Sequence, residues 1–100
     1  MRPFHPERHE LHGITVVVDT DGPETYVGVC DDVNESEVIL RDADLHRADE
    51  SDISKEAYVE KAAQFGVWKK FGQVVLPRGR VTSIRRLGDM PVSTPMNQGS

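Results

Sequence analysis

The chain has little of what marks a secreted, membrane-spanning or disulfide-bonded protein. Cys30 is the only cysteine among 100 residues, which excludes an internal disulfide and indicates a reducing compartment. No segment approaches the roughly 20 apolar residues that cross a bilayer, and the first residues lack the apolar centre of a secretory signal. We therefore expect a cytoplasmic protein that makes no membrane contact.

Catalytic signatures are also missing. The sequence holds no nucleophile elbow, no glycine loop for phosphate and no CxxC pair. His5, His9 and His12 lie at helical spacing and could share a metal ion, but imidazoles in a terminal segment are usually left in water. We therefore interpret the chain as non-enzymatic, with no metal and no cofactor.

Length and composition indicate one small domain. Hydrophobic residues make up 37% of the chain, a low share that predicts a thin core and favours association with further copies. Residues 89–100 are rich in Pro, Ser, Thr, Gly, Asn and Gln. That composition predicts a flexible tail after a domain that covers residues 1–88.

Charge is sorted along the chain. Residues 19–60 carry fourteen acidic and three basic side chains, whereas residues 61–86 carry seven basic and no acidic ones. The field of each region reaches about one Debye length, roughly 8–10 Å in salt. The two regions must therefore face each other within a subunit or face partners.

Short runs rich in β-branched residues, each bounded by turn residues, indicate five β-strands. Gly28 interrupts the second run, and a glycine inside a strand is typical of a sharp bend or bulge. Five short strands with a tight turn before the last predict a small, strongly bent barrel, since closing the sheet removes its edges. The predicted strands are residues 14–19, 25–30, 37–43, 73–76 and 80–87.

One helix is predicted inside an insertion of residues 44–70, between the third and fourth strands. Ser54 is a suitable N-cap and Gly66 a suitable C-cap. Tyr58, Ala62 and Phe65 follow at i, i+4 and i+7 and form one apolar stripe. Val67 and Trp68, just beyond the helix, are expected to fasten it to the sheet.

Two motifs resemble those of the Sm-like (LSm) branch of the SH3-like small barrels. Gly22, Tyr26 and Gly28 are spaced G-x-x-x-Y-x-G like the centre of the first Sm motif, and residues 76–84 (LPRGRVTSI) are similar to the second. The resemblance implies a mainly β fold with one helix, a five-stranded Sm-like barrel with a helical insertion between strands three and four. It also implies a homo-oligomeric ring, in which strand four of one subunit pairs with strand five of its neighbour.

The best candidate site is a basic rim with aromatic residues among its charges. Such a mixture suits phosphate contact and base stacking by RNA or another single-stranded nucleic acid. In the family, an Asn in the loop before strand three contributes to the nucleotide pocket, and here that loop (DDVNESE) also contains four acids. The candidate nucleic-acid-binding residues are Lys69, Lys70, Arg78, Arg80, Arg85, Arg86, Trp68 and Asn34.

Other interpretations of the same residues remain open at this stage. Phe65, Trp68 and Phe71 could be buried in the joint between helix and barrel, with the bases merely solvating that edge. The charges could also join an acidic face of one subunit to a basic face of the next in a scaffolding ring that takes no nucleic acid. Alternatively, they could hold the insertion against its own barrel.

Overall fold

The computed structural model describes residues 11–89. His5, His9 and the predicted tail beyond Asp89 lie outside the described residues. Three short 3-10 turns, at Ala48–Glu50, Arg78–Arg80 and Leu87–Asp89, join or follow the main elements. The main elements are β1 (Thr15–Thr20), β2 (Glu24–Val33), β3 (Glu37–Arg47), α1 (Lys55–Phe65), β4 (Phe71–Pro77) and β5 (Val81–Arg86).

The predicted order of strands and helix is confirmed, but the central hairpin is longer than predicted. β2 continues to Val33 and β3 continues to Arg47, which pairs with Glu24 at the start of β2. The predicted insertion at residue 44 therefore begins at Ala48. The prediction ended both strands before polar residues, Asp31 and Asp44, whereas antiparallel strands tolerate such residues on a solvated face.

All five strands form one antiparallel sheet in the order β4-β3-β2-β1-β5. Within residues 11–89, β4 pairs with β3 and β5 pairs with β1, but β4 and β5 do not pair with each other. The prediction of a fully closed sheet is therefore wrong: the sheet is open between these two strands. The Arg78–Arg80 turn instead connects the two strands at opposite edges of the sheet.

Backbone hydrogen bonds hold that turn on both sides. The Arg78 N–H donates to the Ser36 carbonyl at 2.9 Å, and the Asp21 N–H donates to the Arg80 carbonyl at 3.0 Å. The turn thus contacts the β2–β3 loop on one side and the β1–β2 turn on the other. The turn thus connects the two edge strands, β4 and β5, although no ladder of backbone hydrogen bonds forms between them.

The bend in the β2–β3 pair is centred on Gly28, as predicted. Val27 pairs with Asp44 and Val29 with Arg41, so β3 contains one extra residue opposite Gly28. Asp42, inside that bulge, has a φ of 51°, a left-handed conformation that Asp adopts more readily than most residues. A Cβ added to Gly28 would lie 2.8 Å from the Ala43 Cβ. Gly28 therefore permits the close approach that the bulge requires.

Alternate residues of β1 serve two separate apolar clusters, because neighbouring strand side chains point to opposite faces. One cluster is formed on a single face by all five strands: Val16, Val18, Cys30, Val38, Leu40, Ala43, Leu76 and Val81. The other joins Val17 and Val27 to the buried face of α1: Tyr58, Val59 and Ala62. The helical insertion thus covers part of the opposite face of the sheet.

Both predicted caps of α1 are confirmed. The Ser54 hydroxyl accepts a hydrogen bond from the Ala57 N–H, and the Gly66 N–H donates to the Ala62 carbonyl. Gly66 has a φ of 80°, a conformation that glycine adopts without steric cost. These caps fix the point at which the chain leaves the helix and enters the segment leading to β4.

Candidate functional site

Two of the predicted site residues, Arg80 and Arg85, form ion pairs within the subunit. Arg80 Nε donates to Asp21 at 2.8 Å, which with the negative charge of Asp21 raises the pKa of the guanidinium, and Arg85 donates to Asp19 at 2.8 Å. Arg80 also lies 3.9 Å from the Glu24 carboxylate. The acidic and basic regions of the sequence therefore face each other, and these two arginines carry little net charge toward a ligand.

Arg78 and Asn34 lie at the same end of the sheet, because the β4–β5 turn is bonded to the β2–β3 loop. Asn34 Oδ1 accepts the N–H groups of Ser36 and Glu37, and its Nδ2 donates to Asp32. The Asn34 side chain thus stabilises the β2–β3 loop in which it lies. Arg78 is exposed and forms no ion pair with any residue in the range 11–89.

Trp68, Lys69 and Lys70 lie at the other end of β4, in the segment 66–70 that we call the linker. The predicted basic rim is therefore divided between the two ends of β4, and Arg86 lies elsewhere again, at the end of β5. The structure brings together Asn34 with Arg78, and Trp68 with both lysines. It does not bring all eight predicted residues into one surface.

The aromatic residues around the linker are exposed. Trp68 is 80% exposed and Phe65 is 81% exposed, while Phe71 at the start of β4 is 39% exposed. The interpretation that all three are buried in the joint between helix and sheet is therefore wrong. Val67 packs against the α1 cluster as predicted, whereas Trp68 and Phe65 do not.

Lys61 and Lys69 are exposed cations close in sequence to Phe65 and Trp68. Neither forms an ion pair with a residue between 11 and 89. The linker and the end of α1 therefore combine two exposed aromatic faces with cations that no acidic residue among 11–89 neutralises. Phe65 and Lys61 are four residues apart on α1, which places them on the same face of the helix.

Lys70 differs from Lys69 because it contacts a buried carboxylate. Its Nζ lies 3.4 Å from Asp44 Oδ1, and the Asp44 side chain is only 7% exposed. The Tyr58 hydroxyl donates to Asp44 Oδ2 at 2.8 Å. Burial, followed by this hydrogen bond and the Asp44 charge, raises the pKa of Tyr58.

His46 completes this polar network beside α1. Its ring stacks on Tyr58 with centroids 4.6 Å apart, and its Nε2 lies 3.1 Å from the Ile53 carbonyl. Sequence reasoning did not select Asp44 or His46 as site residues, and it assigned Tyr58 only to the apolar stripe of α1. The available signal was the alternation of polar residues at 42, 44 and 46, which predicts a polar row on one strand face.

A groove of about 370 Å³ adjoins the linker. It passes between the end of β3, the turn that follows it and the start of β4. The groove is mixed in charge, with bases and one acid along it and an aromatic ring at its end. The residues that line it are Leu45, His46, Arg47, Glu50, Ser51, Lys70 and Phe71.

Two searches of the described residues gave negative results. Residues 11–89 contain no group of three or more His, Cys, Asp or Glu side chains placed to hold a metal ion. In that same part of the chain, no helix has both the length and the apolar character needed to cross a membrane.

The sequence matches no protein-family model and no curated protein. Solved structures with a similar fold include the Pyrococcus abyssii Sm protein in complex with a uridine heptamer, with a TM-score of 0.53 and 19% identity over 78% of this chain and 89% of that chain. They also include a chain in the crystal structure of the NatC complex bound to CoA, with a TM-score of 0.54 and 17% identity over 86% of this chain and 88% of that chain. The predicted Sm-like fold is thereby confirmed.

Proposed function

We propose that the chain is a non-enzymatic Sm-like module that binds single-stranded RNA through the linker and the end of α1. Trp68 and Phe65 supply stacking faces for bases, and Lys69 with Lys61 contacts phosphate. The observation that carries the proposal is the exposure of Trp68 and Phe65, about four fifths of each residue, beside cations without an acidic partner among residues 11–89. The solved Sm protein with a bound uridine heptamer supports RNA as the ligand class.

Physical chemistry supports a single-stranded ligand over a duplex. An exposed aromatic ring can stack only on a base whose face is free, and stacking contributes about 1–3 kcal/mol per base. The net charge of −5 opposes a polyanion at long range. The cations at the linker must therefore act locally, and binding must be strongest at low salt.

The test is a titration of labelled oligouridine and oligoadenosine, followed by fluorescence anisotropy over a range of salt concentrations. We expect micromolar or tighter binding that weakens as salt increases. Trp68→Ala should weaken it about 5- to 150-fold, which corresponds to the loss of one stacked base. Flat titrations of the wild type at low salt would refute RNA binding.

A matched pair of variants locates the site. Lys69→Met and Arg86→Met each remove one exposed positive charge that has no ion-pair partner among residues 11–89. Binding at the linker predicts a weaker complex for Lys69→Met only, with a salt dependence lower by about 0.7 in log–log slope. The opposite result would place the ligand at the end of β5.

A second candidate function is assembly, with β4 of one subunit pairing with β5 of the next in a scaffolding ring. It is favoured by the character of β4, whose seven residues include no charge and whose Phe71 and Val75 are 39% and 49% exposed. Open edge strands normally carry charges that prevent such pairing. Arg80 and Arg85 are already paired within the subunit, so backbone hydrogen bonds and apolar contacts would join the copies.

Light scattering tests the assembly. Val75→Lys places a charge on the β4 edge and should reduce the mass to that of one subunit. Ser36→Lys introduces the same side chain in the exposed β2–β3 loop and should leave the mass unchanged. A wild type that is monomeric at all concentrations would remove this candidate without affecting RNA binding by the linker.

A further inference from the structure

The Asp44 carboxylate contacts both the helix that precedes the linker and the last residue of the linker. Tyr58 of α1 donates to one carboxylate oxygen at 2.8 Å, and Lys70 lies 3.4 Å from the other. The residue after Lys70, Phe71, begins β4 by pairing with Ala43, the neighbour of Asp44 in β3. One buried side chain thus contacts the helix before the linker and the last residue of the linker itself.

Lys70 provides the main counter-charge for the second carboxylate oxygen of Asp44, Oδ1. Asp44 Oδ1 has almost no exposed surface and makes no hydrogen bond with any residue in the described range 11–89. If Lys70 left Asp44 to bind a phosphate, this oxygen would remain buried without a hydrogen bond or a counter-ion. That arrangement is strongly disfavoured, so the structure opposes a role for Lys70 as a free phosphate ligand.

The same contacts restrict the residue that the proposed function places against RNA. Val67 packs against the α1 cluster, and Lys70 is held by Asp44. Only Trp68 and Lys69 lie between these two fixed points, and both are exposed. The linker is therefore short and attached at both ends, which limits the positions that the Trp68 ring can take.

We propose that Lys70 and Asp44 are positioning residues, whose ion pair holds the linker so that Trp68 is presented to the ligand. This role rests on the proposed function for what Trp68 binds. The positioning itself does not, because it concerns the protein without ligand. It separates Lys70 from Lys69, which we place in direct contact with phosphate.

The first measurement uses the protein without nucleic acid. Trp68 is the only tryptophan, so the steady-state anisotropy of tryptophan emission reports its mobility directly. Lys70→Met and Asp44→Asn should each lower this anisotropy, and the double variant should lower it no further, because both changes break one interaction. Lys69→Met should leave it unchanged, and Lys70→Arg should restore it.

The second measurement is the affinity for oligouridine. Asp44→Asn releases the positive charge of Lys70, so a phosphate-binding Lys70 would make the complex tighter, whereas loss of positioning makes it weaker. Lys70→Met should weaken binding by the same factor at every salt concentration, because its charge is already neutralised by Asp44. Lys69→Met should change the slope with salt.

The outcomes distinguish the two proposals. Equal anisotropy in the wild type, Lys70→Met and Asp44→Asn would overturn the positioning role even if RNA binds. Tighter binding by Asp44→Asn would do the same. Lowered anisotropy together with flat titrations would support the positioning role and refute the RNA ligand. If Asp44→Asn does not fold, Lys70→Met alone tests the positioning role. The Lys70 side chain is 55% exposed, so its replacement should not prevent folding.

Discussion

Replacing Gly28 with alanine tests the bend on which the sheet depends. The new Cβ would lie 2.8 Å from the Ala43 Cβ, 3.0 Å from the Ala43 Cα and 3.1 Å from the Arg41 carbonyl oxygen. All three distances are shorter than van der Waals contact, and two of the atoms belong to the backbone of β3. The bulge at Asp42 would have to open for the methyl group to fit.

The change in the free energy of unfolding for Gly28→Ala is the sum of two opposing effects. Overpacking of this kind costs about 1–3 kcal/mol, while the loss of glycine freedom in the unfolded chain stabilises by about 0.4–1 kcal/mol. The net change is a loss of about 0–2.6 kcal/mol in the free energy of unfolding, and the two short contacts to backbone atoms favour the upper part of this range. For a domain of this size, each lost kcal/mol lowers the Tm by about 4–8 °C.

Gly72 provides a matched control on another strand. A Cβ added there meets no atom within 4 Å, and the residue does not have a positive φ. Gly72→Ala should therefore stabilise the fold by up to about 1 kcal/mol. Urea unfolding should be measured at two protein concentrations, because association would change apparent stability. Changes of the same sign for both variants would refute the argument.

Three further substitutions test other contacts. Tyr58→Phe should lower the free energy of unfolding at neutral pH by about 1–3 kcal/mol. Because the pKa of Tyr58 is raised in the folded state, the wild type should lose stability above about pH 10, where the phenol of the unfolded chain ionises. The free energies of unfolding of wild type and variant, measured by urea titration, should therefore converge at alkaline pH. Arg85→Glu should cost about 1 kcal/mol in urea because it breaks the pair with Asp19, whereas Arg86→Glu, with no ion pair among residues 11–89, should be nearly neutral. Asp42→Val should lower the Tm, since a β-branched side chain is strongly disfavoured at the left-handed φ of 51°. Unequal stabilities of Tyr58→Phe and wild type at high pH, equal effects of the two arginine changes, or an unchanged Tm for Asp42→Val would each contradict the contact concerned.

Strands and caps could be predicted because their signals are local. Runs of β-branched residues located all five strands, and Ser54 with Gly66 located the ends of α1. The extent of β2 and β3 could not be predicted, because the bulge at Asp42 depends on pairing across the hairpin. The open side of the sheet was missed for the same reason: closure is decided by register and by how the β4–β5 turn is bonded.

The candidate site was predicted by residue type but not by arrangement. Composition selected Trp68 and the basic residues, and the packing of Val67 against α1 was predicted, but only the structure shows that Trp68 is exposed instead of packed beside it. The charge pattern indicated that acids and bases meet, but it did not identify Asp19 and Asp21 as partners of arginines. Asp44 was missed because its importance comes from burial beside Tyr58, which is fourteen residues away in sequence.

The most direct test of the central claim is the emission of Trp68 itself during a titration with unlabelled oligouridine at low salt. Because this is the only tryptophan in the chain, a base stacked on it must change its emission. We predict quenching that saturates with oligouridine and is reversed by added salt. Emission that stays constant while anisotropy of a labelled oligonucleotide shows binding would place the RNA elsewhere and contradict the account.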